Sequence, residues 1–238
     1  VSDANPRPVV VCRSSGPVEM PWADDAAAVL QTWYPGQADG AALADVLYGA
    51  DPGGRLPVTV GRRFDDYPVA GDERRYPGVN EHVHYDEGVF VGYRGFDRDG
   101  VAPRFPFGHG RSYADFAYAG LAVERAETDG TGGSDAALDV TVTVENRAGR
   151  PGRAVVQAYV EPPAPPRGVD RPRRELGGFE SVRLDGGERR TVSLSVSRRA
   201  LARYDRRDGW TVDPGEYAVV VGRSSRDEQV RATVEMMA

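Results

Sequence analysis

Lysine is missing from all 238 residues, so every positive charge is an arginine; no mechanism is attached to that bias. Cysteine is nearly missing too. The single Cys12 excludes an internal disulfide and a thiolate metal cluster. It ends the apolar run Val9-Val10-Val11-Cys12, where a small buried hydrophobe is expected in preference to a reactive thiol. No apolar stretch approaches the roughly 20 residues that a membrane-spanning helix needs. Val1 to Pro8 has no charged segment leading into a long apolar one, and the chain does not open on Met. It reads as a piece of a longer polypeptide. Positive charge is not in excess either: the formal net charge of -6 recommends neither nucleic acid nor an anionic membrane as a partner.

The apolar share of 40% and charged share of 28% are those of a globular chain, long enough for one large or two ordinary domains. Glycine and proline, at 29 and 18 residues, suit many short strands joined by turns. The first half reads as mixed α and β. Val9–Cys12 has the continuous apolar character of a strand covered on both faces. Asp24 is expected to start a helix over Ala26–Trp33, with Val29, Leu30 and Trp33 on one face and Pro35-Gly36 ending it. A second helix is expected over Gly40–Tyr48, where Leu43, Val46 and Leu47 form a stripe and Gly49 follows as cap. Leu56–Val60 reads as another strand, residues 61–84 as a polar loop, and Gly88–Tyr93 as a return to strand. Phe105-Pro106-Phe107-Gly108 forms an aromatic turn. These pieces make the tail of an α/β sheet, with too few strands for a whole one.

The second half changes character. Leu121–Glu124, Leu138–Glu145, Ala154–Val160, Arg189–Val196 and Tyr217–Val221 are β-branched and alternating. Turns at Asp129-Gly130, Arg150-Pro151-Gly152, Asp185-Gly186-Gly187 and Asp213-Pro214-Gly215 divide them. Val140, Val142 and Val144 point one way and Thr141, Thr143 and Glu145 the other. Short strands at this spacing predict an antiparallel β-sandwich. Pro162 to Arg174, proline-rich and then basic, is expected to be an exposed, stiff loop. The domain boundary is placed near Phe116 to Leu121, giving units 1–117 and 118–238.

A series of motifs in unbroken order then carries a resemblance. Met20-Pro21-Trp22, Trp33-Tyr34-Pro35-Gly36-Gln37, Ala44-Asp45-Val46-Leu47-Tyr48-Gly49 and Gly54-Arg55-Leu56-Pro57 resemble the last part of the α/β sandwich domain of family 3 glycoside hydrolases. Tyr85-x-Glu87-Gly88, Val91-Gly92-Tyr93-Arg94 and Phe105-Pro106-Phe107-Gly108-His109-Gly110 follow in the family's order. Val144-Glu145-Asn146, Val156-Gln157-x-Tyr159-Val160, Glu175-Leu176-x-Gly178-Phe179 and Pro214-Gly215-x-Tyr217 resemble its fibronectin type III-like domain. Arg111 and Ala114 depart from the leucine and threonine usual in the Phe-Gly-His-Gly run. The fold class implied is α/β plus all-β: the C-terminal part of an α/β sandwich domain, then an Ig-like sandwich.

The resemblance implies a retaining β-glucosidase-like parent that needs no cofactor and acts on terminal β-D-glycosyl residues. Retaining hydrolysis requires two carboxyl groups about 5–5.5 Å apart. The resemblance puts the nucleophilic Asp in an N-terminal barrel and the acid/base Glu upstream of Val1, so no catalytic residue is assigned here and the missing barrel is the implied partner. Two further readings stay open: a non-catalytic module binding carbohydrate or protein, and one chain of a split glycosidase. Sugar specificity, oligomeric state and compartment are left open.

The residues themselves offer few rivals. Asp86 and Glu87 are adjacent, so on a strand they face opposite sides. Glu87 with Arg94 is expected as a structural ion pair. Asp65-Asp66 and Asp72-Glu73 read as solvated charge. His82 and His84 share a side if extended, but lack further ligands for a metal, and His109 is expected to pack within its turn. No G-x-S-x-G elbow occurs, and Gly36, Gly40, Gly53 and Gly54 do not form a phosphate loop. Tyr76 to Tyr93 combines loop, aromatics and charge, and is the segment best suited to meeting sugar. The plainer reading has it brace a domain interface. No substrate-binding residue is assigned.

Overall fold

The computed structural model describes residues 5–126 and 136–237; the turn expected at Asp129-Gly130 lies outside them. The first half is held together by loops around little regular structure. Strand β1 (Val9–Cys12) pairs in parallel with β2 (Ala28–Gln31), in the register Val9 to Ala28. The helix expected over Ala26–Trp33 is thus a strand. Its backbone groups are claimed by the neighbouring chain, with Ala27 N donating to Pro8 O (2.8 Å) and Thr32 N to Cys12 O (2.9 Å). Tertiary pairing here overrides the helix propensity of an alanine run. Asp24 caps no helix; it forms a bidentate pair with Arg104, both contacts at 2.7 Å.

Helix α1 (Asp39–Leu47) matches the second expected helix, and Gly49 follows it at φ 114. Leu56–Val60 supplies only one bridge, Val60 to Phe105; Pro57 removes a donor from the would-be ladder. Gly88–Tyr93 is not a strand either. It turns and enters helix α2 (Tyr93–Arg98), with Gly92 at φ 54 giving the chain its change of direction.

The second half is a two-sheet sandwich. One sheet orders β3 (Phe116–Arg125), β4 (Ala136–Asn146) and β7 (Arg189–Ser197). The other orders β11 (Asp227–Met236), β10 (Gly215–Ser224), β5 (Gly152–Glu161) and β6 (Glu175–Leu184). All pairings within the two sheets are antiparallel. Short α3 (Arg198–Leu201) and the hairpin of β8 (Arg203–Asp205) with β9 (Gly209–Thr211) follow β7. The alternation read from Val140, Val142 and Val144 holds: all three are buried, and they meet Val156, Val160, Val219 and Val221 from the facing sheet.

Strand β6 escapes the alternation pattern, whereas β11 follows it, with Val230, Val234 and Met236 toward the core. Gly177 and Gly178 break it in β6, where a side chain on Gly177 would press within 3.0 Å of Val160. Polar residues fill the outward positions of β11. The Pro162–Arg174 segment is not simply exposed. Arg174 is buried, bonded to Ser225 O (2.9 Å) and paired with Glu161, and Arg171 pairs with Asp213 at 2.6 Å.

Candidate functional site

Strands β5 and β10 are buried on both faces, and that fact locates the junction between the halves. Ala154, Val156, Ala158 and Val160 point into the sandwich core, while Gln157 and Tyr159 on the opposite face are buried as well. They are covered by residues 92–109. Tyr159 Oη donates to Gln157 Oε1 (2.7 Å), and Gln157 Nε2 donates to Gly108 O (3.0 Å) and Arg223 O (2.7 Å). Tyr93 stacks on Phe107 at 5.0 Å and meets Tyr159 edge-on at 6.2 Å. Its hydroxyl accepts from Leu176 N at 2.9 Å. Burial raises the pKa of both tyrosines above the ordinary value, so both remain neutral donors and acceptors.

A second anchor lies at Asp51. Its carboxylate accepts from Tyr113 N (2.9 Å), Arg153 N (2.7 Å) and the Ser112 hydroxyl. Arg226 forms a third, reaching from the β10–β11 turn to Phe96 O (3.2 Å), Val101 O (3.3 Å) and Asp97 Oδ1 (2.8 Å). The other Asp97 oxygen is buried without a partner. Burial therefore outweighs the attraction of Arg226, Arg174 and Arg173 and raises the Asp97 carboxyl above the usual range.

The sign of this linkage is testable. The folded state binds a proton more readily than the unfolded one, so Asp97 opposes folding at neutral pH, and that penalty fades as pH falls through the raised value. Asp97→Asn keeps an acceptor for Arg226, which is itself partly exposed and can be hydrated. The variant should match the parent within about 1 kcal/mol at pH 7 in urea unfolding. Any advantage should vanish near pH 4. A loss of more than about 2 kcal/mol at pH 7 would mean that the Arg226 pair outweighs burial after all.

The segment singled out for sugar divides into two parts. Tyr93 and its neighbours brace the junction. Residues 61–91 are instead mostly turns, and they expose Phe64, Tyr76 and Tyr85. A tight hairpin joins Val79 to His82 (2.9 and 3.0 Å), with Asn80 at φ 52 and Glu81 at φ 64, the pair of left-handed residues that a two-residue hairpin turn demands. Phe64 and Tyr76 lie 5.4 Å apart, and Tyr85 is 80% exposed. Asp66 accepts from Arg62 N (2.7 Å) and Arg63 N (3.2 Å), and Asp72 accepts from Arg74 N (2.9 Å). These acids fix turns and are more than solvated charge.

The expected Glu87–Arg94 pair does not form. Arg94 pairs with Glu175 at 3.5 Å, and Asp86 takes Arg74. Glu87 is 6% exposed, with one carboxyl oxygen lacking a partner. Helix α2 starts at Tyr93, so Arg94 points toward β6 and away from the turn that holds Glu87. His82 and His84 are exposed, and among the described residues no group of three or more His, Cys, Asp or Glu could hold a metal ion. His109 packs as expected, stacking on Phe105 at 5.5 Å, and burial, then Arg111 and Arg55, lowers its affinity for a proton. Cys12 is partly buried, and that burial pushes its thiol up.

Sequence reasoning missed the carboxyl ends of β1 and β2, the edge of a parallel sheet where ligands commonly meet α/β folds. Gln31 Nε2 bonds Ser14 Oγ (3.1 Å) and Arg13 pairs with Asp39 (2.5 Å). Trp33 is held at φ 53, strained for a bulky residue, and Tyr34 beside it is largely exposed. Reading Ala28–Gln31 as a strand would have put Trp33 just past a strand end and drawn attention to it.

The sequence profile of the glycosyl hydrolase family 3 C-terminal domain matches residues 1–93, and that of a fibronectin type III-like domain matches residues 154–225. The chain is 39% identical over 238 residues to thermostable beta-glucosidase B of Acetivibrio thermocellus, covering 99% of this chain and 30% of that one. It is 40% identical over 239 residues to an exo-alpha-(1->6)-L-arabinopyranosidase of Bifidobacterium breve, with 99% and 30% covered. Among solved structures, DesR, a beta-glucosidase from Streptomyces venezuelae in complex with D-glucose, superposes with a TM-score of 0.91 at 40% identity, covering 99% of this chain and 30% of DesR. The chain therefore spans about a third of the length of the curated relatives it matches.

Proposed function

This chain belongs to glycosyl hydrolase family 3, of which it is a C-terminal portion, and from that premise we propose that it serves as the scaffolding and pocket-rim part of a retaining β-glycosidase. The observation that carries the reading is continuity: nearly the whole chain aligns, without a gap in motif order, to one C-terminal stretch of enzymes named as β-glucosidases. In this reading the two catalytic carboxylates belong to sequence outside these residues, and the sugar released is a terminal β-D-glycosyl group. No cofactor is called for, since acid/base and nucleophilic carboxyl groups suffice. The division into two units is kept in this reading, with the second taken to begin where β3 does, at Phe116, two residues ahead of the expected 118.

The exposed apolar surface favours an enzyme part over a stand-alone module. Tyr34, Leu47, Tyr48, Tyr76 and Tyr85 of the first half are exposed, and in this reading they are the residues that the rest of the parent enzyme covers. The barrel of the parent enzyme is the body proposed, with Trp33, Tyr34 and the Tyr76–Tyr85 ridge facing its pocket.

Assay of the purified chain with an aryl β-D-glucoside tests the reading, together with a chimera in which this chain replaces the aligned stretch of the Acetivibrio relative. The chain alone should give no turnover and the chimera should hydrolyse the glucoside. Turnover by the 25.8 kDa chain alone would place both carboxylates within it and overturn the proposal.

A further inference from the structure

The β8–β9 hairpin carries a feature that the glycosidase reading does not use. Tyr204 and Trp210 are direct cross-strand partners, with rings 5.3 Å apart, and are 62% and 49% exposed. The Arg199 guanidinium lies 3.1 Å from the Trp210 ring centroid, so one face of the indole is occupied while the Tyr204 ring stays open. Exposed aromatic pairs on flexible ground mean little. This one stands on a rigid base. Arg203 Nε bonds both oxygens of Asp213 (3.0 and 2.9 Å) and its Nη1 meets Asp205 (3.1 Å), while Arg171 closes on Asp213 from below. Tyr217 Oη donates to Asp213 O at 3.0 Å. At the tip, Asp205 accepts from Arg207 N (2.8 Å) and Asp208 N (3.3 Å). The hairpin is thus preorganised at both ends, which lowers the entropy lost on binding.

Charge narrows the ligand. Within residues 198–211 the exposed charged side chains are Arg198, Arg199, Arg206 and Arg207 against Asp208 alone. This is a local positive excess in a chain whose net charge is -6. Flat rings stack against the C–H face of a pyranose, and guanidinium groups take carboxylates in a two-point geometry. Nucleic acid also stacks and carries charge, but its binding relies on an extended basic track along the strand, and here the basic groups are confined to one hairpin and the helix beside it.

We propose that the Tyr204–Trp210 hairpin, with Arg199, Arg206 and Arg207, binds an anionic polysaccharide, a chain of uronate-bearing pyranose rings. The choice of a sugar ligand rests on the glycosidase reading, but binding is separate from hydrolysis and is measured without turnover. The site would hold the protein on an acidic glycan while the parent enzyme works elsewhere.

Calorimetric titration of the 238-residue chain with a galacturonate hexamer tests it, with cellohexaose and an oligothymidylate as comparison ligands. The hexamer should bind with an affinity that falls as salt rises. Trp210→Ala should weaken it by about tenfold or more, and the double variant Arg206→Ala/Arg207→Ala should weaken it and flatten the salt dependence. Both variants change exposed side chains and should keep the parent circular dichroism. Absence of hexamer binding, equal binding by cellohexaose, tighter binding by the oligothymidylate, or an unchanged affinity in Trp210→Ala would each overturn the proposal. If aryl-glucoside turnover by the chimera fails while the hexamer still binds, the glycosidase reading falls and the binding site stands.

Discussion

Replacing Glu161 by alanine should cost the fold about 3 kcal/mol at pH 7, because it strands a buried arginine. Glu161 sits at the end of β5, paired with Arg174 and with Arg231 at 2.7 Å. Arg174 is almost fully buried; its remaining contacts are Ser225 O and a long 4.0 Å approach to Glu228. Without Glu161 its charge has no adequate partner. Arg231 differs: it is partly exposed and also pairs with Glu228 at 2.9 Å, so Arg231→Ala should lose about 1 kcal/mol or less.

The pH dependence gives a second reading of the same residue. Burial works against the Glu161 charge, but the hydrogen bonds and charges of Arg231 and Arg174 together hold its carboxyl below the ordinary range. Its contribution is therefore complete above the ordinary glutamate value and is lost as pH falls through the depressed folded value. Urea unfolding of parent and Glu161→Ala at pH 7 and pH 3 should show a wide gap that narrows on acidification. A gap that does not change with pH, or one no larger than that of Arg231→Ala, would show that the network is ornamental. Asp97, at the same junction, has the opposite sign because one of its oxygens is buried without a donor.

The second large effect is expected at Gly108. Its φ of 79 lies in the left-handed region, and an added Cβ would collide with Gln157 Oε1, lie 2.9 Å from Gln157 Cδ and 3.0 Å from Tyr159 Oη. Gln157 cannot yield cheaply, since its amide holds Gly108 O, Arg223 O and the Tyr159 hydroxyl. Gly108→Ala should lose about 3 kcal/mol or more, the sum of backbone strain and broken buried hydrogen bonds. Gly71 is the control. Its φ is 79 too, but nothing lies within 4 Å of the added carbon, so Gly71→Ala carries strain alone, about 1 kcal/mol. Equal midpoint shifts for the two variants in urea unfolding would refute the idea that the Gln157 cradle joins the halves.

Much of the architecture is legible one residue at a time. Val140, Val142 and Val144 announce a sandwich strand because a period of two with β-branched side chains suits a sheet with one buried face. The stripe of Leu43, Val46 and Leu47 with Gly49 behind it announces α1. Where the pattern fails, a second partner has intervened. Ala28–Gln31 has the composition of a helix and becomes a strand because β1 supplies the parallel edge. Glu87 and Arg94 are close in sequence yet separate in space, because helix α2 starts between them and carries Arg94 to Glu175.

The sequence by itself carried the resemblance to family 3 and the order of the two units, since motif order survives without coordinates. Only the tertiary structure decided which polar residues are buried. Gln157 and Tyr159 are outward positions of a strand and Arg174 a loop position by local pattern, and each is interior because a distant segment covers it. The exposed pair at Tyr204 and Trp210 was equally hidden from pattern reading: six residues apart, they face one another only because the Asp205–Gly209 turn folds one strand onto the other. Local sequence encodes period and propensity; which face meets water depends on contacts between residues far apart in the chain.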